Sequence, residues 1–315
     1  MRTYVAGRLL LTIPTLFLVS LVVFSLIRLL PGDVVLAQLS SAPNFKAEDL
    51  AEIRGKLGLD DPWLVQYGQW ISGVVRGDLG KSLWSDRDVT SVIWDHTPVT
   101  VELALMTFIM ANIIAVTFGV LSALKQDSLL DYILRLVSIG GLSVPSFWIA
   151  TLVIVLGARW FGYLPPLQYI PFTDDPIGNI GQFIVPSSII AVASTATIMR
   201  MVRSSMLEVM RQDYVRTAWA KGLRERTVIY RHALKNAFLP VITLMGLQLN
   251  FLLGGSLVIE IIFGLPGLGR LSYDAIQQRD YTMIEGVTLV FGTLFVLINL
   301  GVDLLYAWLD PRIKY

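Results

Sequence analysis

Few side chains in this 315-residue sequence could perform catalysis. Cysteine is absent, which excludes a thiolate nucleophile and a thiolate metal site. The only histidines, His96 and His232, lie far apart in the sequence without a carboxylate cluster beside them, so a metal site within the chain is not expected. Serines such as Ser20, Ser138 and Ser194 fall in apolar stretches, but no histidine or paired aspartate is positioned to activate them. These residues predict a chain that is not an enzyme and holds no cofactor.

The glycine-rich stretch "GLPGLG" at residues 264–269 invites comparison with a phosphate-binding loop. Such loops follow a β-strand and offer backbone amides where a helix opens. This stretch follows no predicted strand and carries Pro266, which has no amide hydrogen to donate. It therefore predicts a turn-rich connection, and the chain is not expected to bind a nucleotide.

Carboxylates near the ends of apolar stretches are candidates for a transport path. Glu102, Glu260 and Asp303 lie near such ends and none lies at mid-span, so the proton or sodium relay of a secondary transporter is not expected. Glu260 could form an outer gate, or meet a charged end of a substrate, together with Asp274 and Asp280. The alternative is a carboxylate at the rim with no role in transport.

The composition predicts that lipid surrounds most of the chain. Hydrophobic residues make up 54% of the sequence and charged residues 16%, against roughly 25% charged residues in an ordinary soluble domain. About 20 apolar residues are needed to cross a bilayer as a helix. Six stretches qualify, at residues 9–27, 99–124, 136–158, 180–199, 236–259 and 286–302. We therefore predict an all-α integral membrane protein with six transmembrane helices.

The distribution of basic residues predicts the orientation of these helices. With both termini on the inner side, the inner segments hold 15 of the 25 Lys and Arg residues, as positively charged cytoplasmic loops require. The predicted domains are a first helix at 1–28, an outer subdomain at 29–98, a membrane core at 99–310 and a cytoplasmic tail at 311–315. The core contains a cytoplasmic loop at residues 205–235.

The outer subdomain is predicted to fold around a helix of its own. Leu50, Ile53 and Leu57 share one helical face, and Gly58 follows as a stop signal. Four tryptophans follow them: Trp63, Trp70, Trp84 and Trp94. They are expected in the subdomain's own core, and the alternative is a position at the membrane interface.

The segment from Arg200 to Lys235 is strongly basic, with nine Lys or Arg, three acidic residues and a formal net charge of +6. Such a run can simply anchor the chain at the inner membrane surface. Its pattern favours more, because Asp213 is predicted to cap a helix that reaches Lys221, and Gly222 suits the left-handed residue that ends it. A second helix is predicted from the spacing of Val228, Ile229, His232 and Ala233. Two short helices joined at a glycine could dock in a groove of a soluble partner.

This segment resembles the signature of the membrane subunits of bacterial ABC importers, which reads Glu-Ala-Ala, three residues, Gly, nine residues, then Ile-x-Leu-Pro. Three positions match it: Ala218, Gly222 and Leu234. Four positions depart from it in the manner of the dipeptide/oligopeptide/nickel permease family, within "DYVRTAWAKGL" and "RHALKNA": Arg216, Thr217, His232 and Lys235. "PTLFLVSLVVFSLIRLLPGD", "GLDDPWLVQYGQWISGVVRGDLGKSLWS" and "EIIFGLPGLGRLSYDAIQQRDY" also resemble that family.

The resemblance implies the type I importer permease fold and a multi-pass position in the bacterial cytoplasmic membrane. It also implies a second related permease, two ATP-binding subunits that hold ATP and Mg, an extracytoplasmic substrate-binding protein, and no nucleic-acid partner. The cargo would be a di- or oligopeptide, and the alternative cargo is nickel or another small solute. The alternative class of protein is a stand-alone secondary transporter. The residues implied to couple the chain to the ATPase are Asp213, Tyr214, Arg216, Thr217, Ala218, Ala220, Lys221, Gly222, Leu223, His232 and Leu234.

Overall fold

A computed structural model describes residues 2–28, 60–82, 84–166 and 168–309. Within these ranges the regular elements are helices, apart from one isolated antiparallel bridge between Lys81 and Asp88. The helix predicted around Leu50, Ile53 and Leu57 lies outside the described residues, and so does the predicted tail at 311–315.

Twelve α-helices and one π-helix are present in the described chain. They are α1 (Arg2–Arg28), α2 (Trp63–Val75), α3 (Val89–Leu124), α4 (Leu129–Ser143), α5 (Ser146–Phe161), α6 (Pro176–Met210), α7 (Asp213–Ala220), α8 (Glu225–Thr227), the π-helix (Val228–Leu234), α9 (Lys235–Gly255), α10 (Leu257–Phe263), α11 (Leu268–Gln278) and α12 (Tyr281–Leu309). Five uninterrupted helical runs among the described residues are long and apolar enough to cross a membrane, and the bent pair α4–α5 supplies a sixth crossing if it counts as one span.

The third predicted span, residues 136–158, is not one continuous helix. Helices α4 and α5 meet at an angle of 94°. Val144 has an extended backbone, with φ −100° and ψ 122°, and Pro145 follows with ψ 135°. A proline disfavours helical geometry at the residue before it, so the bend has a local cause in the sequence.

The other boundaries also differ from the prediction. Helix α3 begins at Val89, so the last ten residues of the predicted outer subdomain belong to this helix. Helix α9 ends at Gly255, and Glu260 lies on the separate short helix α10. Helix α6 begins at Pro176, where the Asp175 carboxylate accepts hydrogen bonds from two backbone amides. Helices α3 and α6 therefore begin before the apolar stretches that predicted them, α6 through a capped polar turn, whereas α9 ends early.

The chain divides into two compact units. The larger unit comprises Thr100–Leu265 with the chain from Ile298 onward, and the smaller unit comprises Arg2–Val99 with Pro266–Leu297. In the larger unit, one buried apolar cluster joins α3, α4, α6, the π-helix and α9. Helices α3 and α6 approach closely at Gly119, where an added Cβ would lie 2.7 Å from the Val202 Cβ. Small residues allow such close packing of helices in lipid.

In the smaller unit, aromatic rings fasten α2 to α1. Phe24 is fully buried and contacts the rings of Trp63, Tyr67 and Trp70 at centroid distances of 5.3–5.6 Å. Trp63 and Trp70 thus pack against α1 and not in a separate core of the predicted outer subdomain, and Trp63 remains 40% exposed. The same prediction was wrong for two tryptophans, which are 58% and 69% exposed: Trp84 and Trp94.

Asp280 caps helix α12 in the smaller unit. Its Oδ1 accepts the backbone amide of Met283 at 3.1 Å, and its Oδ2 accepts the hydroxyl of Ser82. We expect Asp280→Ala to lower the free energy of unfolding by about 1–2 kcal/mol, because the cap is lost. Thermal unfolding of the purified protein in detergent measures this. Asp274→Ala is the control, since its half-exposed carboxylate lies 3.8 Å from Arg270; equal losses in the two variants would contradict the capping role.

Candidate functional site

Residues 211–235, here called the basic element, connect α6 to α9. Helix α7 opens the element, and its N-cap is Gln212, which has the extended backbone of that position. The prediction that Asp213 is the cap was therefore wrong, because Asp213 is already helical. Its side chain is 96% exposed and lies 3.4 Å from the Arg216 guanidinium. A carboxylate in the first turn still favours the helix through the helix dipole.

Gly222 makes the turn that ends α7. Its φ is +72°, so the predicted left-handed conformation is confirmed. The Gly222 amide donates to the Trp219 carbonyl at 2.9 Å, and the Leu223 amide donates to the Ala218 carbonyl at 3.4 Å. An added Cβ at Gly222 would meet nothing within 4 Å. The backbone angle, and not a lack of space, therefore favours glycine here.

The second helix of the element is not the short helix that the sequence predicted. Residues Glu225–Gly255 form one uninterrupted helical run, in which the π-helix joins α8 to α9. This segment stays helical and joins α9 because Val228, Ile229 and Ala233 are buried against other residues of the larger unit. Single π-turns often mark functional sites, because their hydrogen-bond geometry is less favourable than that of an α-helix. The basic element is thus continuous with a membrane-spanning helix.

A small apolar core folds the basic element back on itself. Val215, Ala218 and Val228 are buried together, and Val209 and Met210 at the end of α6 pack against them. Burying such a set stabilises the element by several kcal/mol at about 0.8 kcal/mol per methylene. Sequence reasoning did not single out Val215, although its spacing from Ala218 fits one helical face. Because the element has its own buried core, it is a folded structure and not only a solvent-exposed run of basic residues.

Large aromatic and basic side chains cover the outside of this element. Tyr214, Trp219 and Tyr230 are 43%, 41% and 57% exposed, and Leu223 is 37% exposed. An open cavity of about 470 Å³ is lined by Arg224, Arg226, Thr227, Tyr230 and Arg231. Tyrosine, tryptophan and arginine are the residues that most often dominate the energy of protein interfaces. This surface can therefore bind a protein with an acidic, partly apolar face.

The residues predicted to couple to the ATPase fall into two groups. Those exposed on the surface of the basic element are Asp213, Tyr214, Arg216, Thr217, Ala220, Lys221, Gly222 and Leu223. Those wholly or partly covered are Ala218, His232 and Leu234. The first group is open to a partner, whereas the second supports the fold of the element.

An ion pair that the sequence did not reveal holds the start of α4 against α6. Asp131 has no exposed surface, and the Arg203 guanidinium donates to both of its oxygens at 2.9 and 2.8 Å. The Ser122 hydroxyl and the Asp127 amide also donate to this carboxylate. Bidentate arginine–carboxylate pairs combine strength with fixed geometry. Arg203 was counted with the basic loop in the sequence, but it belongs to α6.

Glu260 is buried on α10, and its burial leaves open the alternative of a rim carboxylate with no role in transport. One of its oxygens accepts the hydroxyls of Thr100 and Ser256 at 2.9 and 2.8 Å. Glu260 belongs to the larger unit, whereas Asp274 and Asp280 belong to the smaller one. Asp274 is half exposed and Asp280 caps a helix, so the three predicted gate residues have different surroundings.

Glu102 anchors a loop of the larger unit. It accepts the Tyr169 hydroxyl at 3.0 Å and the Asn179 side-chain amide at 2.8 Å. Burial, together with the nearby Glu102 carboxylate, raises the pKa of Tyr169 to about 12. The phenol therefore stays protonated and remains a donor to Glu102 at physiological pH. Sequence reasoning placed Glu102 near a helix end but did not identify these partners.

The sequence matches two families of transport proteins, which together cover most of the chain. The family described as binding-protein-dependent transport system inner membrane component matches residues 115–315, and its N-terminal counterpart matches residues 1–104. The chain belongs to this permease family. The permease is 42% identical over 303 residues, covering 96% of each chain, to a protein of Brucella abortus (strain 2308) named as a peptide transport system permease.

Two further relatives match the permease along its whole length. The dipeptide transport system permease protein DppB of Alkalihalophilus pseudofirmus is 41% identical over 335 residues, covering 100% of both chains. The glutathione transport system permease protein GsiC of Escherichia coli K12 is 39% identical over 315 residues, again covering 100% of both. The family predicted from the signature around Gly222 is thereby confirmed. As an importer permease, the chain is a multi-pass inner-membrane protein that works with ATPase and substrate-binding proteins.

Proposed function

We propose that this permease carries di- or oligopeptides across the cytoplasmic membrane. The observation that carries the proposal is full-length similarity, at about 40% identity, to permeases named for peptide, dipeptide and glutathione transport. All three cargoes contain peptide bonds. Nickel or another small solute is the second candidate, because the resemblance extends to a family that also includes nickel permeases.

The proposed assembly pairs this permease with a second, related permease and two ATP-binding subunits. Both termini lie in the cytoplasm, as the excess of Lys and Arg in the corresponding segments supports. A substrate-binding protein delivers the cargo on the opposite side. ATP and Mg bind to the ATPase subunits, and this chain holds neither. Lipid surrounds the spanning helices, and no nucleic acid takes part.

The basic element is the proposed docking site for an ATPase subunit. Its exposed Trp219 and Tyr214 offer apolar contact area, while its arginines offer charge to an acidic groove. Its buried core keeps α7 fixed against the start of the second helix. Because that helix continues into α9, a displacement of the docked element reaches the membrane interior without a flexible joint.

Glu260 is proposed as a gate residue at the outer end of the path. Its buried carboxylate holds α10 to α3 through Thr100. A charged group on a passing peptide could replace the Thr100 and Ser256 hydroxyls as its partner, which would release this contact. Asp274 and Asp280 belong to the smaller unit, and Asp274 is the more accessible of the two to a charged end of the cargo.

Uptake by cells that lack the gene tests the cargo. We expect loss of labelled di-, tri- or longer peptide uptake, restored by the wild-type gene, with nickel uptake unchanged. Loss of nickel uptake alone would replace peptide by nickel as the cargo. Loss of neither would contradict both assignments. Peptide uptake that persists without the ATPase subunits would instead indicate a stand-alone transporter.

A further inference from the structure

Two carboxamide side chains meet inside the larger unit, between the spanning helices α3 and α9. Asn112 and Gln248 are 9% and 8% exposed, and both lie well inside helical runs that could cross the membrane. The Asn112 Nδ2 donates to the Gln248 Oε1 at 2.9 Å and to the Phe108 carbonyl at 2.8 Å. This pair is thus a polar contact in an environment where most side chains are apolar.

Each amide keeps one buried polar atom without a hydrogen-bond partner among the described residues: the Asn112 Oδ1 and the Gln248 Nε2. Turning the Asn112 amide would set its oxygen against the Phe108 carbonyl, which is also an acceptor, so the assigned orientation stands. A buried polar atom without a partner is costly, and more so where lipid excludes water. The pair therefore presents one acceptor and one donor to a third group.

A peptide group is the chemical complement of this pair. It has one N–H, which can donate to the Asn112 Oδ1, and one carbonyl oxygen, which can accept from the Gln248 Nε2. Neither carboxamide carries a charge, so the pair offers little to a metal ion, which prefers carboxylate or imidazole ligands. We propose that Asn112 and Gln248 form a transit site that binds a peptide group of the cargo. This inference rests on the peptide cargo proposed above.

The two unpaired atoms are buried and inaccessible in the present conformation. The site opens when α9 separates from α3. Helix α9 follows directly on the π-helix of the basic element, so movement of that element during the ATPase cycle can produce the separation. The site is thus occupied only during transport, and in the resting state Asn112 and Gln248 bind each other.

Transport of a dipeptide and of its ester analogue tests the site. In the ester an oxygen replaces the peptide N–H, so the donor to Asn112 is lost while the shape is kept. The complete complex is reconstituted in liposomes and supplied with saturating loaded substrate-binding protein, which removes that protein's own preference. We expect the wild type to transport the ester about tenfold more slowly, since a buried acceptor is then left without a partner.

Asn112→Leu is expected to remove this discrimination, by lowering dipeptide transport to the rate of the ester. Asn112→Ala, a smaller change that removes the acceptor, should do the same. Gln248→Met should slow both cargoes equally, since both keep the carbonyl. Ser138→Ala is the control, because its buried hydroxyl donates to the Ala196 carbonyl at 3.2 Å, and it should keep the wild-type ratio.

ATP hydrolysis stimulated by loaded binding protein shows that each variant complex is assembled. A wild type that transports dipeptide and ester equally, or an Asn112→Leu complex that keeps the tenfold ratio, would overturn the transit site. The amides would then serve only to join two helices or to hold a buried water. A wild type that transports neither cargo would overturn the peptide assignment itself.

Discussion

Gly222→Asp is expected to abolish the stimulation of ATP hydrolysis by loaded substrate-binding protein, while the permease remains in the membrane. The φ of +72° lies in the left-handed region, where a Cβ adds some strain, although aspartate tolerates it better than most residues, as Asp86 and Asp127 do in this chain at +54° and +61°. The new carboxylate also adds a negative charge to an element whose net charge is positive, two residues from Arg224. Both effects weaken docking of the ATPase. Hydrolysis by the reconstituted complex, with and without loaded binding protein, measures the loss.

Two variants separate these effects. Gly222→Asn has a similar shape without the charge and tolerates the left-handed conformation, so it should keep part of the stimulation. Gly162→Asp is the matched control for strain, because Gly162 has a φ of +63° and, like Gly222, nothing within 4 Å of an added Cβ. It lies outside the basic element and should leave stimulation intact. Wild-type stimulation in Gly222→Asp would refute docking at this turn.

Asp131→Ala is expected to destabilise the permease by about 3–5 kcal/mol, a loss large enough to deplete it from the membrane. Removing the carboxylate leaves the Arg203 guanidinium, whose side chain is 18% exposed, without its bidentate partner. Thermal unfolding in detergent and the amount of protein in membranes both report the change. The effect arises from an unpaired buried charge, so it does not depend on the cargo or on ATP.

Asp213→Ala provides the contrast for that prediction. It also removes a carboxylate paired with an arginine, but the Asp213 side chain is 96% exposed and the loss should stay below about 1 kcal/mol. Adding Arg203→Met to Asp131→Ala should restore part of the stability, since the more deeply buried of the two arginine charges beside Asp131 is then removed and only Arg135, whose side chain is 36% exposed, remains. If Asp131→Ala and Asp213→Ala had equal effects, the buried pair would have no special weight in the fold.

The spans and the turn at Gly222 were predictable because each rests on local physics. A bilayer requires long apolar helices, and a left-handed turn favours glycine. The signature around Gly222 added the family. The bend after Ser143 was missed, although Pro145 signalled it, because a hydropathy pattern reports apolar length and not backbone direction.

Pairings between distant residues could not be predicted in the same way. Asp131 and Arg203 are 72 positions apart, in a sequence with 25 Lys and Arg residues that could each have been the partner. Asn112 and Gln248 are 136 positions apart. Both side chains are uncharged amides, so a search of the spans for charged residues does not find them. Only the tertiary fold, in which α3 and α9 share one apolar cluster with other helices, brings them together, and a single sequence does not specify that packing.

The unbroken helical run Glu225–Gly255 also has a mechanical consequence. Its 31 residues span about 45 Å at 1.5 Å per residue, and the run stays helical through the π-helix and Pro240, so a rotation at the basic element is transmitted along the helix axis. If the run tilts by about 5° about its end in the basic element, its other end moves by about 4 Å, which is enough to break a hydrogen bond. Small rotations of a docked ATPase subunit would thus produce a displacement large enough to break contacts deep in the bilayer.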